Sequence, residues 1–153
     1  MEFRIVKKDS FVLVGYSAAG KWDKGVVHPI PDLWNKSTAF IRDEGAEEII
    51  GVCLPPRSDQ YFYTCGMEME SVNFYKITPG MTVHTFPAQT YMIFTHVGPD
   101  HKIPSTYANL WRVFDKEGYR IKKGMPELEV VKAEMFGKEE TERYVMDIWI
   151  PVE

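Results

Sequence analysis

One acidic residue near the C-terminal end stands where a carboxylate could have a chemical task. Glu129 lies in a short stretch with strand character, beside Leu128, Val130 and Val131. A carboxylate in such dry surroundings is costly unless it is paired, and a cationic ligand is one way to pair it. The alternative is an ordinary exposed strand residue that shares its face with Glu127. Both interpretations stay open at the level of the sequence.

Aromatic side chains are the second ingredient that could do chemistry. The chain of 153 residues contains 9 Phe, 8 Tyr and 4 Trp, which is more ring surface than a core of this size needs. Rings around a carboxylate attract a lipophilic cation through cation–π contacts and charge pairing. Rings at helical spacing can equally well just fill the core. The candidate ligand-binding residues are Glu129, Trp34, Tyr107, Trp111, Tyr91, Tyr63, Trp149 and Glu68.

A repeated segment must position these side chains. An 18-residue segment recurs 73 residues later without a gap. A repeat of half the chain length predicts two similar units, about 1–78 and 79–153, that pack with pseudo-two-fold symmetry into a single domain. A seam between such units is a common place for a ligand. The matched pairs are His28 and His101, Ile30 and Ile103, Pro31 and Pro104, Trp34 and Tyr107, Ile41 and Phe114, Glu44 and Glu117, and Gly45 and Gly118.

The repeat also shows where the two halves differ. Trp34 and Tyr107 are repeat mates, so we expect them to face each other across one cleft. Glu129 has no mate, because the position 73 residues earlier is Pro56. Glu68 and Asp147 occupy matching positions on the last strand of each half, where a surface acid is the simpler interpretation.

Hydrophobic periodicity gives each half the order strand, helix, strand, strand. This predicts an α+β fold, in which duplicated β-α-β-β units form an antiparallel sheet with both helices on one face. Proline in the first turn and a following glycine bound both helices, and Ser105 and Thr106 are candidate caps of the second if that helix begins a residue or two late. We predict a loop at 18–27, helices at 30–44 and 104–117, and strands at 3–16, 48–54, 61–69, 82–96 with a break at Pro87, 127–133 and 144–152.

The histidines, the cysteines and the known catalytic motifs give no sign of a metal site or a cofactor site. The four histidines have no spacing typical of a metal site, and His28 and His101 are expected to be turn residues before the helices. Cys53 and Cys65 form no ligand-spaced set and are expected to be ordinary thiols of a reducing compartment. No nucleophile elbow, phosphate-binding loop or dinucleotide fingerprint occurs, so no metal and no cofactor is expected.

The totals exclude several classes of function. A net charge of −4 and few basic clusters weigh against direct nucleic-acid binding, which depends on neutralising phosphates. No apolar run approaches the roughly 18 residues that a membrane span needs. The N-terminus lacks the basic start and apolar block of a signal peptide. We therefore expect a cytoplasmic domain without membrane contact.

Four segments and the two helices together resemble one family, the GyrI-like small-molecule-binding domain. This domain is also the effector-binding domain of AraC-type and MerR-type multidrug regulators. Residues 61–68 resemble the family's aromatic strand, which ends in a glycine and an acidic residue. Residues 86–99 resemble its central strand with the His-x-Gly-Pro turn. The Pro-x-x-Glu strand is similar to residues 126–131, and the terminal acidic, apolar and proline strand to residues 147–152.

The resemblance implies a pseudo-symmetric duplication with about eight strands, two helices and a cleft between the helices above the sheet. Relatives bind organic molecules there, often cationic and aromatic, with a buried glutamate and surrounding rings. This sequence departs from the family at Val131, where a strand tyrosine is usual. The first strand begins almost at Met1, so we expect no DNA-binding helix-turn-helix in front of it.

The leading hypothesis is a binding protein rather than an enzyme. It would capture an aromatic organic ligand, expected to be cationic, in the cleft between the repeat halves. One alternative implied by the resemblance is a protein-interaction module, with DNA gyrase or a separate regulator as the partner. The other is a hydrolase that opens strained electrophilic rings with a pocket glutamate as general base.

Overall fold

The fold is taken from a computed structural model, which describes residues 1–68, 70, 75 and 77–153. Ten main elements follow in the order β1 (Arg4–Lys8), β2 (Phe11–Lys21), α1 (Ile30–Glu44), β3 (Glu48–Leu54), β4 (Gln60–Glu68), β5 (Met81–Phe86), β6 (Gln89–Val97), α2 (Ile103–Lys116), β7 (Glu127–Lys132) and β8 (Val145–Pro151). Short 3-10 turns precede α2 and follow β7. None of the described helices has the length and apolar character needed to cross a lipid bilayer.

The strands form one antiparallel sheet in the order β1-β6-β8-β7-β3-β4-β2-β5. The α+β architecture with two helices is therefore confirmed. The pairing of β3 with β7 joins the two halves at the centre of the sheet. At the edges the halves exchange strands, because β1 pairs with β6 and β5 pairs with β2. The two edge pairings and the central pairing together tie the halves to each other at three places.

Each half contains one strand more than the predicted β-α-β-β unit. The predicted strand at 3–16 is interrupted at Asp9 and Ser10, so it forms β1 on one sheet edge and β2 near the other. The predicted break at Pro87 likewise separates β5 from β6. The predicted loop at 18–27 begins only after Lys21, because residues 18–21 pair with residues 60–63 of β4. Met69, the last residue of the strand predicted at 61–69, lies outside the described residues.

The two helices begin and end close to the predicted positions. Proline stands in the first turn of each, and Gly45 and Gly118 follow them with positive φ values of 69° and 75°. The predicted caps of α2 are wrong, because this helix begins at Ile103 without a side-chain cap. The hydroxyl of Thr106 instead lies 2.7 Å from His96 Nδ1, which connects α2 to β6.

Apolar side chains lie on both faces of the sheet, since neighbouring strand residues point to opposite sides. The larger cluster packs beneath the helices and includes Leu33, Ile41, Leu110 and Phe114. The smaller cluster, on the opposite face, includes Phe11, Ile50, Tyr91, Ile93 and Leu128. The helices therefore cover only one face, which leaves the other face with a core of its own.

Two glycines allow the backbones of β2 and β4 to approach each other closely within the sheet. Gly15 and Gly66 are register partners in the ladder. A Cβ atom on Gly66 would lie 1.9 Å from the carbonyl oxygen of Val14, and one on Gly15 would lie 2.1 Å from that of Cys65. Neither position has room for a side chain unless the backbone moves.

We predict that Gly66→Ala destabilises the protein by about 1–3 kcal/mol, the usual cost of overpacking a close contact. The added methyl group meets backbone atoms, which cannot rotate away. Urea unfolding would measure the change, with Asn109→Ala at an exposed helix position as the control. Equal stability of the two variants would contradict the close approach.

Candidate functional site

A cavity of about 850 Å³ lies between the two helices and the sheet. Both halves of the chain contribute to its walls, as the repeat predicted. α1 supplies Trp34, β4 supplies Tyr63, and α2 supplies Tyr107 and Trp111. Other residues that line it include Trp22, His28, Cys53, Arg57, Glu127 and Glu129.

Glu129 lies on the floor of the cavity, and two tyrosine hydroxyls hold its carboxylate. Tyr63 Oη donates to Oε2 at 2.5 Å, and Tyr107 Oη donates to Oε1 at 2.8 Å. Trp34 Nε1 in turn donates to Tyr63 Oη at 2.9 Å. The repeat mates Trp34 and Tyr107 therefore converge on one carboxylate, directly in one case and through Tyr63 in the other.

A glycine makes room for this arrangement. Gly51 of β3 is the ladder partner of Glu129 on β7. A Cβ atom on Gly51 would lie 1.9 Å from Tyr63 Oη and 2.9 Å from Trp34 Cζ2. Because Gly51 has no side chain, the Tyr63 hydroxyl can occupy the space above it and reach Glu129. Sequence analysis missed Gly51, since a lone glycine in a strand does not reveal which side chain fills the space above it.

A second carboxyl group, on Glu127, lies beside the first. Glu127 is only 8% exposed, and its Oε1 lies 3.3 Å from the same Tyr107 hydroxyl. Its Oε2 is buried without a hydrogen-bond partner among the described residues. Sequence analysis used Glu127 only in the interpretation that both acids face solvent. The signal that could have found it is the i, i+2 spacing on the same strand face.

Burial raises the pKa values of Glu129 and of the ionisable groups around it. The pKa of Glu129 is raised by burial, although hydrogen bonds from Tyr63 and Tyr107 oppose the rise. The pKa of Glu127 is raised to about 8 by burial and by the charge of Glu129. Burial and the glutamates raise the pKa values of Tyr63 and Tyr107 well above the usual range. Both hydroxyls therefore stay protonated and act as donors.

Arg57 is the arginine in the cavity wall, and its charge is already paired. Its guanidinium group donates to both oxygens of Asp115, at 2.7 and 2.8 Å. The same group lies over the ring of Trp111, 4.7 Å from the centroid. No ion pair among the described residues includes Glu127 or Glu129. The acidic floor thus has neutral donors but no cationic partner within the described chain.

Trp22 and His28 form another part of the wall, and neither was among the predicted site residues. Trp22 packs on Tyr61 with ring centroids 4.5 Å apart and on His28 at 4.8 Å. His28 Nδ1 lies 3.1 Å from the hydroxyl of Tyr61. Trp22 is 52% exposed although it lines the cavity, so this group stands where the cavity meets solvent. His28 is therefore more than the turn residue predicted.

The structure brings together five of the eight predicted site residues, namely Glu129, Trp34, Tyr63, Tyr107 and Trp111. Tyr91 and Trp149 instead pack against each other on the opposite face of the sheet, with ring centroids 5.7 Å apart. Glu68 forms an ion pair with Lys8 outside the cavity. Tyr91 and Trp149 are therefore misplaced as candidate ligand-binding residues, because the sequence pattern alone did not assign each ring to a face of the sheet.

The chain matches the GyrI-like small molecule binding domain over residues 1–153 and belongs to that family. No curated protein matches it significantly in sequence. It is therefore a GyrI-like small-molecule-binding domain, and the fold is that of an effector-binding domain.

Solved structures with the same fold include SAV2435 bound to tetraphenylphosphonium, with a TM-score of 0.77 and 20% identity over 100% of this chain and 94% of that chain. The EcmrR C-terminal domain has a TM-score of 0.69 and 14% identity over 99% of this chain and 97% of that chain. A hydrolase encoded by lin2189 from Listeria innocua has a TM-score of 0.58 and 12% identity over 99% of this chain and 92% of that chain. Similarity at these identities shows a shared fold.

We predict that the free protein becomes less stable relative to Glu127→Gln as pH rises. A carboxyl group whose pKa is about 8 when folded and 4.5 when unfolded binds its proton more tightly in the folded state. Its stabilisation is complete below pH 4.5 and is lost as the pH rises through 8, on the order of 5 kcal/mol in all. Urea unfolding of both proteins at pH 5 and pH 8 would measure this difference.

The matched control for this experiment is Glu140→Gln, which makes the same substitution at an exposed carboxylate. We expect its stability to follow that of the wild type at both pH values. A constant difference between wild type and Glu127→Gln would show that Glu127 does not hold its proton in the folded state.

Proposed function

We propose that this domain captures a lipophilic organic cation with aromatic groups, and that the positive charge lies near Glu129. The observation that carries the proposal is a carboxylate deep in an aromatic cavity whose described partners are all neutral hydroxyls. A charge removed from water remains costly unless an opposite charge accompanies it. A bound cation would supply that charge.

The cavity walls suit such a ligand. Trp34, Tyr107 and Trp111 present ring surface from both helices, and a ring face attracts a cation. Arg57 already illustrates this attraction, because its guanidinium group lies over Trp111. The volume of about 850 Å³ is within the range of drug-sized ligand sites. The tetraphenylphosphonium bound to SAV2435 has the chemistry we propose, namely one positive charge surrounded by rings.

Hydrolysis is a second candidate function, favoured by one observation. Glu127 and Glu129 are adjacent carboxyl groups that both lie near the Tyr107 hydroxyl, and burial raises the pKa of each, an arrangement that can serve as acid and base. Incubation with a strained three-membered-ring electrophile, followed by mass spectrometry, would test it. Turnover that is lost in Glu129→Gln would favour an enzyme. Interaction with gyrase or a separate regulator stays a prediction from the family resemblance.

We predict that tetraphenylphosphonium binds to the protein and that Glu129→Gln weakens binding at least about tenfold, which corresponds to about 1.4 kcal/mol. The substitution removes the negative charge but keeps a side chain of the same size. Isothermal titration calorimetry would measure the affinity. Triphenylphosphine oxide, a neutral molecule with similar rings, should bind much more weakly than the cation.

The matched control is Glu68→Gln, which makes the same change outside the cavity, where Glu68 pairs with Lys8. We expect its affinity to stay within about twofold of the wild-type value. Equal binding by the wild type and Glu129→Gln would refute the proposed role of this carboxylate.

We also predict that Trp111→Leu weakens tetraphenylphosphonium binding by about 5- to 30-fold, because one dry cation–π contact contributes about 1–2 kcal/mol. Trp149→Leu is the matched control, since Trp149 lies on the opposite face of the sheet. Calorimetry is again the measurement, as changes in tryptophan content would confuse a fluorescence titration. A larger effect at Trp149 than at Trp111 would contradict the assignment of the site.

A further inference from the structure

Two carboxyl groups share one hydroxyl on the cavity floor. Tyr107 Oη lies 2.8 Å from Glu129 Oε1 and 3.3 Å from Glu127 Oε1. A hydroxyl carries one hydrogen, so Tyr107 can donate fully to only one of them. The second contact becomes a good hydrogen bond when Glu127 itself is protonated and donates to Tyr107 Oη. The geometry is thus satisfied by one ionised and one neutral glutamate.

The assignment of the proton to Glu127 follows from the partners of each group. Glu129 accepts hydrogen bonds on both oxygens, as an ionised carboxylate does. Glu127 has an oxygen buried without a partner among the described residues, and a carboxyl group pays less for such burial when it is neutral. The raised pKa of Glu127, about 8, agrees with this assignment.

The groups that face Glu127 offer it no positive charge. Glu129 stands on the same strand, and Cys53 is its ladder partner on β3. Tyr107 faces it from α2. Arg57 faces it from the loop after β3, but only its main-chain amide interacts with Glu127, since its guanidinium group binds Asp115. A bound cation would therefore be the first positive charge near this pair.

We propose that Glu127 holds a proton in the empty cavity and releases it to solvent when a cation binds, so that the site exchanges a cation for a proton. This inference rests on the proposed function, because it requires a cationic ligand beside Glu129. The exchange balances in charge: the neutral carboxyl group becomes a carboxylate, the ligand brings one positive charge in, and the proton carries one out. The net charge of the floor stays the same before and after binding.

Calorimetry of tetraphenylphosphonium binding in two buffers would test the exchange directly. At pH 7 the released proton is taken up by the buffer. The observed binding enthalpy should therefore differ between phosphate and Tris by close to the full difference between the ionisation enthalpies of the two buffers, which corresponds to about one proton per ligand. Glu127→Gln should bind the cation with the same enthalpy in both buffers. Glu68→Gln, with its change outside the cavity, should release the proton as the wild type does.

The affinity should follow the same linkage. Between pH 6 and pH 7 the wild-type Kd should fall about tenfold, because release of one proton makes binding tighter as protons become scarce. In Glu127→Gln it should change less than about twofold. In the wild type, infrared spectroscopy should also show the C=O band of a protonated carboxyl group that disappears on binding. This last measurement does not depend on the variant folding well.

The outcomes separate the two proposals. Binding of tetraphenylphosphonium that needs Glu129 but releases no proton would overturn the exchange and leave the proposed function intact. Proton release that persists in Glu127→Gln would also overturn it, since another group would then be the source. No binding of the cation at all would refute the proposed function and the exchange with it. Release in the wild type and its loss in Glu127→Gln would establish the exchange.

Discussion

The structure of the site depends on one constraint, the need to hold a carboxylate on the floor of an aromatic cavity without a cation paired to it. Two tyrosine hydroxyls stabilise Glu129, and an indole N–H supports one of them. Neutral donors of this kind lower the cost of burial but do not cancel the charge. The floor therefore retains a net attraction for positive charge, to which the ring faces of the walls add.

The duplicated fold provides the geometry that this constraint needs. The central pairing of β3 with β7 brings Gly51 opposite Glu129, and the absent side chain admits Tyr63. The same central pairing makes the floor beneath the two helices one continuous sheet, and the exchange of β1 and β5 ties the outer strands to the opposite halves. A symmetric frame thus holds an asymmetric pair of positions, a glycine on one central strand and a glutamate on the other.

Much of the fold could be predicted from the sequence, and the physical reasons are local. α1 was predicted to the residue, because proline and glycine bound it and its apolar positions repeat at helical spacing. β3 was equally clear from its run of apolar residues between two glutamates and a pair of prolines. The split of the first strand was missed, because Asp9 and Ser10 interrupt the alternation only briefly and the change of sheet edge leaves no local signal.

By itself the sequence determined the chemical types in the site and the frame that presents them: a carboxylate at Glu129, rings on both helices, and a duplication with a seam. Only the tertiary structure decided which strand rings belong to the cavity, since Tyr63 and Tyr91 have similar sequence surroundings but lie on opposite faces of the sheet. It also decided that Glu127 is buried next to Glu129 and that Gly51 makes room for Tyr63. Those outcomes depend on strand register and on what packs above each face, and both are set by pairing between residues far apart in the chain.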